Sequence, residues 1–318
     1  MSFLLSEIDA LLDEFPVLAG RPRRVEELSG GLTNRNVKVI TAEATYVARC
    51  TGTGPNLLGI DRDAELFNTQ AAERAGVGAA VVDHRLDLGV LLLGYIDGKT
   101  LCNADFQRPG ILAKVADGCR ALHAGPRFRG RFDMFERQAA YQQTVLDHGF
   151  RMPRDYLEHA DAFAEVGRAL AATDEGTVPC NNDLLAENFI ETGDRVRIID
   201  YEYAGNNDPC FELGNIAGEC GLSVDQLDEL VTLYYGRPLP HKIARARVMT
   251  TVARYGWTMW GCIQHGSSPL DVDFWQWAMQ RYEPAVEALR DPRLSRLLDE
   301  LRPPPDRPET DPRKQPHP

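Results

Sequence analysis

The sequence predicts an α+β chain of two lobes, a small N-terminal lobe with an antiparallel sheet and one helix and a larger, mainly helical C-terminal lobe. Three observations carry that expectation. Short apolar runs that read as strands recur between Val25 and Ile96, separated by turn residues. From Gln107 onward the pattern turns helical. At 318 residues the chain is long enough for two lobes and a sizeable core. The expected bounds are 1–96, 97–301 and a Pro-rich tail over 302–318.

The elements follow in order. MSFLLSEIDALLDEF reads as an amphipathic helix, since Glu7, Asp9, Asp13 and Glu14 interrupt its apolar residues and no basic region or cleavage site marks a signal peptide. Val25 to Leu28 and Val37 to Ile40 read as strands joined by LSGGLTNRN, with Tyr46 to Cys50 as a third. In that loop Gly30 and Gly31 let backbone N–H groups approach phosphates, and Thr33 and Asn34 add side-chain donors, although the glycine pair alone also fits a plain hairpin turn. A helix from Asp61 to Ala75 is stopped by Gly76. Strands over Ala80 to Arg85 and Val90 to Ile96 complete the small lobe. Helices fit 109 to 124, 133 to 147 and 154 to 172, and His123, near the end of the first, reads as a packing or capping residue outside the site. Further helices fit Asp208 to Cys220, Val224 to Tyr235, His241 to about Gln264, and Asp271 to Leu289. The closing RPPPDRPETDPRKQPHP has no apolar periodicity and is expected to be disordered.

The chemistry concentrates between Pro179 and Glu219. There the chain sets Asp183, then Asn188, then Asp200 at the end of the apolar run Val196, Ile198, Ile199. A strand at Phe189 to Glu191, a turn at Thr192-Gly193-Asp194 and a strand from Arg195 to Asp200 form a hairpin that puts Asn188 and Asp200 at neighbouring ends. Two oxygen ligands then converge on one point, as a hard cation such as magnesium requires. Asp183 is left to accept a proton from an attacking hydroxyl, which is the division of labour in kinase-type phosphoryl transfer. Turns and strand ends favour Asp and Asn for structural reasons too.

NNDLLAEN followed by IIDYEYAGNNDPCFELGN resembles the catalytic and metal segments of choline and ethanolamine kinases, in the aminoglycoside-phosphotransferase-like branch of the protein-kinase fold. The resemblance runs from about Leu28 to Tyr282. It implies a protein-kinase-like fold with ATP and Mg2+ in the cleft, Asp183 as catalytic base, and Asn188 and Asp200 as metal ligands. Asn181 stands where the family has a bracing His; Asn can donate and accept hydrogen bonds but carries no positive charge, so a pseudokinase stays open. The GGLTN loop would cover the phosphates, and Arg49, in the place of the kinase lysine, would pair with Glu65. The chain would cross between lobes at YIDGKTL, where the backbone around Tyr95 and Ile96 meets adenine. Trp257 and Trp260 lie three apart on one helical face, and Trp275 and Trp277 follow. By resemblance Trp257, Trp260 and Trp277 form an aromatic cage for a quaternary ammonium, with Glu219 near the cation; packing of two core helices also explains them.

Composition narrows the partners. A formal charge of -12 and a pI near 5.1 argue against nucleic acid or an anionic membrane, and the apolar and charged fractions are those of a soluble globular protein. Seven cysteines form no CxxC pair, so reduced thiols in the cytoplasm are expected, with Cys180 and Cys210 as buried packing. No stretch is apolar for the length of a bilayer. The expected function is an ATP-dependent kinase acting on choline or a similar amino alcohol, in phospholipid or phosphocholine metabolism. Ethanolamine, thiamine, an aminoglycoside or another small alcohol are the alternative acceptors, and a homodimer is compatible with this reading.

Overall fold

The computed structural model describes residues 5–28, 31–51 and 56–302, so Gly30 and the Pro-rich tail lie outside the described residues. Helix α1 (Leu5–Leu11) and a short turn of 3-10 helix lead into β1 (Arg24–Leu28), β2 (Asn34–Ile40) and β3 (Thr45–Thr51). Helix α2 (Arg62–Arg74) then crosses to β4 (Val81–Arg85) and β5 (Val90–Gly94). The five strands form one antiparallel sheet in the order β1-β2-β3-β5-β4.

Strand periodicity decides what each face of this sheet does. Val37, Val39, Ala48, Cys50, Val90 and Leu92 share one face and are buried against Ile8, Leu12, Phe15 and Leu18 of the N-terminal segment. Arg49 and Leu91, one residue out of step, face the other way, toward Glu65 of α2 and Asp200. Asp61 caps α2 by accepting the Ala64 N–H at 3.0 Å, and Gly76 follows its end with φ +76°. This fixes Glu65 one turn into the helix, opposite Arg49.

The remainder is mainly helical. After β6 (Lys99–Thr100) come α3 (Ile111–His123), α4 (Met134–His148) and α5 (Ala160–Ala171). Four short strands follow: β7 (Val178–Cys180), β8 (Phe189–Thr192), β9 (Arg195–Ile198) and β10 (Gly205–Asn207). The chain closes with α6 (Pro209–Glu219), α7 (Val224–Tyr235), α8 (Pro240–Ser267), α9 (Phe274–Arg290) and α10 (Leu294–Asp299). β6, β8 and β9 form one small sheet, and β7 pairs with β10. Helix α8 is 28 residues long and buried on nearly every side, as expected of a helix wrapped by α4, α6 and α9.

Three expectations shift. The helix placed over 154 to 172 divides into a 3-10 turn at Tyr156–His159 and α5, because Tyr156 is pinned by stacking on Tyr255 at 4.2 Å and by donating its hydroxyl to the Tyr255 carbonyl. The strand placed over 195 to 200 ends at Ile198, because Asp200 takes a left-handed conformation with φ +66°. The strand expected to reach Ile96 ends at Gly94. Cys180 and Cys210 are fully buried, and burial raises both thiols, Cys210 to about 12, which leaves them inert packing groups. Among the described residues no helix is long and apolar enough to cross a membrane.

Candidate active site

The loop between β7 and β8 carries Asn181, Asn182 and Asp183, and its shape is fixed from below. Glu212, in the first turn of α6 and fully buried, accepts the Asn181 N–H at 2.8 Å and the Asn182 N–H at 2.7 Å, one on each carboxylate oxygen. His123 Nε2 lies 3.5 Å from the same carboxylate, and its Nδ1 shares a 2.7 Å hydrogen bond with the Tyr234 hydroxyl. Asn182 donates its amide to the Cys180 and Tyr203 carbonyls, which holds it at φ +70°. Among the described residues, Asn182 and Asp200 are the two non-glycine residues with positive φ, and both flank Asp183 in space or sequence.

Asn181 ties this loop to the strand that brings Asp200. Its amide nitrogen donates to the Ile199 carbonyl at 3.1 Å and the Asp200 carbonyl at 2.7 Å, while its oxygen accepts the Asp183 N–H at 3.1 Å. Asn188 Nδ2 donates to the Asp183 carbonyl at 2.7 Å, and the Asn188 carbonyl accepts the Ile199 N–H at 3.0 Å. Asp183, Asn188 and Asp200 are thus brought together by the Asn181 and Asn188 side-chain amides and one backbone bond between their segments. The Asp183 carboxyl is held above the usual carboxylate range, first by burial and then by the charges of Asp200, Glu219 and Glu202, with Arg281 opposing.

Arg49 lies at the centre of a knot of acids. Its Nε is 2.9 Å from Glu65 Oε1, and its Nη2 is 2.5 Å from Asp200 Oδ1 and 3.0 Å from Glu202 Oε2. Glu202, which the sequence did not single out, is the hub of this knot. It also accepts the Thr33 hydroxyl at 2.7 Å and the Asn34 amide at 2.7 Å, and Arg62 approaches it at 3.3 Å. Thr33 and Asn34, the expected phosphate donors of the glycine loop, fasten that loop to Glu202. Gly31 is required in that loop, since a Cβ there would lie 2.3 Å from the Asn34 carbonyl oxygen. At the expected adenine edge the Gly94 and Tyr95 N–H groups are already taken by the Ala80 and Thr45 carbonyls, which leaves that of Ile96.

The donor set fits magnesium. Among the described residues nothing donates to Asn188 Oδ1, and Arg49 engages only one oxygen of Asp200. A free amide oxygen and a free carboxylate oxygen are hard ligands of the kind that magnesium takes, whereas both oxygens of Glu202 are already engaged.

The tryptophans divide. Trp257 and Trp260 are buried, with their indole N–H groups donated to Asn215 Oδ1 at 2.9 Å and to the Tyr203 hydroxyl at 2.8 Å. Trp260 and Trp277 have ring centroids 4.7 Å apart, and the ring of Tyr203 lies 5.1 Å from that of Trp257. Trp275 points elsewhere, with the Arg151 guanidinium 3.5 Å above its ring. Glu219 does not wait unpaired beside these rings. Arg281, one helical turn after Trp277, grips both Glu219 oxygens and stacks its guanidinium 3.2 Å from the Trp277 ring centroid. No sequence signal marked Arg281, whose four-residue spacing from Trp277 is what brings it onto that ring.

Comparison with known proteins agrees with this geometry. Residues 25–228 match the family described as Choline/ethanolamine kinase. Protein LicA of Haemophilus influenzae is 26% identical over 278 residues, covering 82% of this chain and 99% of LicA. The crystal structure of a choline/ethanolamine kinase family protein from Mesorhizobium loti superposes with a TM-score of 0.82 at 31% identity, covering 93% of this chain and 98% of that one. Choline kinase LicA from Streptococcus pneumoniae has the same fold, with a TM-score of 0.76, 24% identity and coverage of 89% and 98%. The chain belongs to the choline/ethanolamine kinase family, and is an ATP-dependent phosphotransferase with a small alcohol as acceptor.

Proposed function

We propose that this enzyme moves the γ-phosphoryl group of ATP to the hydroxyl of choline or a closely similar amino alcohol. The observation that carries the reading is the convergence of Asp183, Asn188 and Asp200 through the hydrogen bonds of Asn181 and Asn188. Asp183 orients the acceptor hydroxyl and takes its proton as the oxygen bonds to the γ-phosphorus and the bond to ADP breaks. A carboxylate raised above its ordinary range by burial and by its acidic neighbours is a better base for that step than an ordinary one. Asn188 and Asp200 would hold Mg2+, which when bound neutralises charge on the β- and γ-phosphates. Arg49, held by Glu65, adds fixed positive charge, and the loop around Gly31 covers the phosphates. The Trp257, Trp260 and Trp277 rings line the acceptor end, with Glu219 beside them. A cytoplasmic location accompanies this reading, supported by seven free cysteines, six of them buried.

The test is ATP-dependent phosphorylation of choline and of ethanolamine with Mg2+, using Asp183→Ala as the blank. Turnover of either that falls about 10²–10⁴-fold in the variant supports the assignment of Asp183. Undiminished turnover in Asp183→Ala removes the assigned base.

A further inference from the structure

The acceptor end holds two arginines, and one of them is paired. Glu219 on α6 is neutralised by Arg281 on α9, which uses both carboxylate oxygens and covers the Trp277 face. A second arginine stands beside this pair. Arg254, on α8 three residues before Trp257 and so on the same helical face, rests on the backbone of α6 just ahead of Glu219. Gly218 makes the room: a Cβ there would meet Arg254 Nε at 3.4 Å. Arg254 is half-buried, and among the described residues its guanidinium has no hydrogen-bond or ion-pair partner within contact distance.

That is an unusual state for an arginine inside a fold. A guanidinium stays charged and carries five donors, and burying it without a partner costs free energy. Burial lowers the pKa of Arg254, and of its two charged neighbours Glu219 raises it while Arg281 lowers it further. Glu219 and Arg281 satisfy each other, which leaves the Arg254 guanidinium beside them without a protein partner among the described residues. The planar fork of a guanidinium matches a carboxylate. The same end faces the catalytic base, since Glu219 and Arg281 both act on the Asp183 carboxyl.

We propose that Arg254 is a specificity-determining residue and that the preferred acceptor is an amino alcohol that also carries a carboxylate, held by Arg254 beside the Glu219–Arg281 pair. This rests on the phosphotransfer reading above and narrows its acceptor class.

Matched acceptors test it. L-Serine is ethanolamine with a carboxylate, and L-carnitine adds a carboxylate to a trimethylammonium alcohol. With wild-type enzyme, ATP and Mg2+, kcat/KM is expected to be at least ~10-fold higher for the carboxylate-bearing member of one or both pairs. Arg254→Met should erase that ratio, mostly through KM, while Arg254→Lys, which keeps the charge, should retain part of it; a thermal melt of each variant controls for folding. If choline or ethanolamine is used with no carboxylate advantage in either pair, the inference falls and the kinase reading stands. If an advantage exists but a folded Arg254→Met keeps it, Arg254 is not its source and the inference falls. If none of the four acceptors is phosphorylated, the inference falls together with the amino-alcohol reading beneath it.

Discussion

Asn181 holds three hydrogen bonds at once, two donated to the Ile199 and Asp200 carbonyls and one accepted from the Asp183 N–H. An imidazole has only two ring nitrogens, so it cannot exceed that count. Asn181→His is therefore expected to leave kcat within a few-fold of wild type, and Asn181→Ala to lower it by ~10-fold or more, since the loop and the Asp200 segment lose their tie. A large gain in Asn181→His, read in a steady-state assay, would show that the asparagine impairs the loop and would revive the pseudokinase reading. Residues of this kind were legible because their spacing is local: Asp183, Asn188 and Asp200 sit on one hairpin and its lead-in. Glu202 and Arg281 were not legible. Glu202 takes its meaning from Arg49, 153 positions away, and Arg281 from Glu219, 62 positions away. A buried acid and a surface acid read alike in a sequence, so long-range pairs of this kind appear only once the chain is folded.

At the scale of elements, α6 is the base on which the catalytic loop stands. Asp208 caps it by accepting the Cys210 N–H at 2.7 Å and is itself paired with Arg245 of α8, so the helix is fixed at its first turn. Four residues on, Glu212 turns both carboxylate oxygens to the loop. Glu212→Gln replaces one acceptor with an N–H that faces another N–H. That exchange should cost about 3 kcal/mol in urea unfolding, the order expected when a buried charge-assisted pair of bonds is broken. The same variant should lower kcat more than it raises KM for ATP, because what moves is the loop bearing Asp183. Unchanged stability and unchanged kcat would show that the loop holds its shape without Glu212. The helices and longer strands could be read from sequence because apolar periodicity and caps mark them, as Asp61 and Gly76 mark α2. The pair β7 and β10 could not, since three-residue strands leave no period to count.

For the molecule as a whole, the cleft gathers like charge at a cost that its fold must carry. Asp183, Asp200, Glu202 and Glu219 lie close enough to act on one another, with Arg49 and Arg281 as the opposing charges. The consequence for stability has a definite sign. The Asp183 carboxyl titrates higher in the folded chain than in the unfolded one, so below the unfolded value, about 3.9, both states are protonated and its burial costs little. As pH rises through the raised folded value the carboxyl ionises among its neighbours, and that part of the stability is lost. Asp183→Asn keeps the shape and removes the charge. Without nucleotide or magnesium, it should melt at the same temperature as wild type near pH 4 and at a higher one at pH 8, while losing phosphotransfer. The opposite order at pH 8, or a difference that does not change with pH, would mean that neither burial nor the neighbouring acids raise the Asp183 carboxyl. The expected outcome gives the base its physical character: the position most useful for accepting a proton is one where the folded protein would be more stable without the charge.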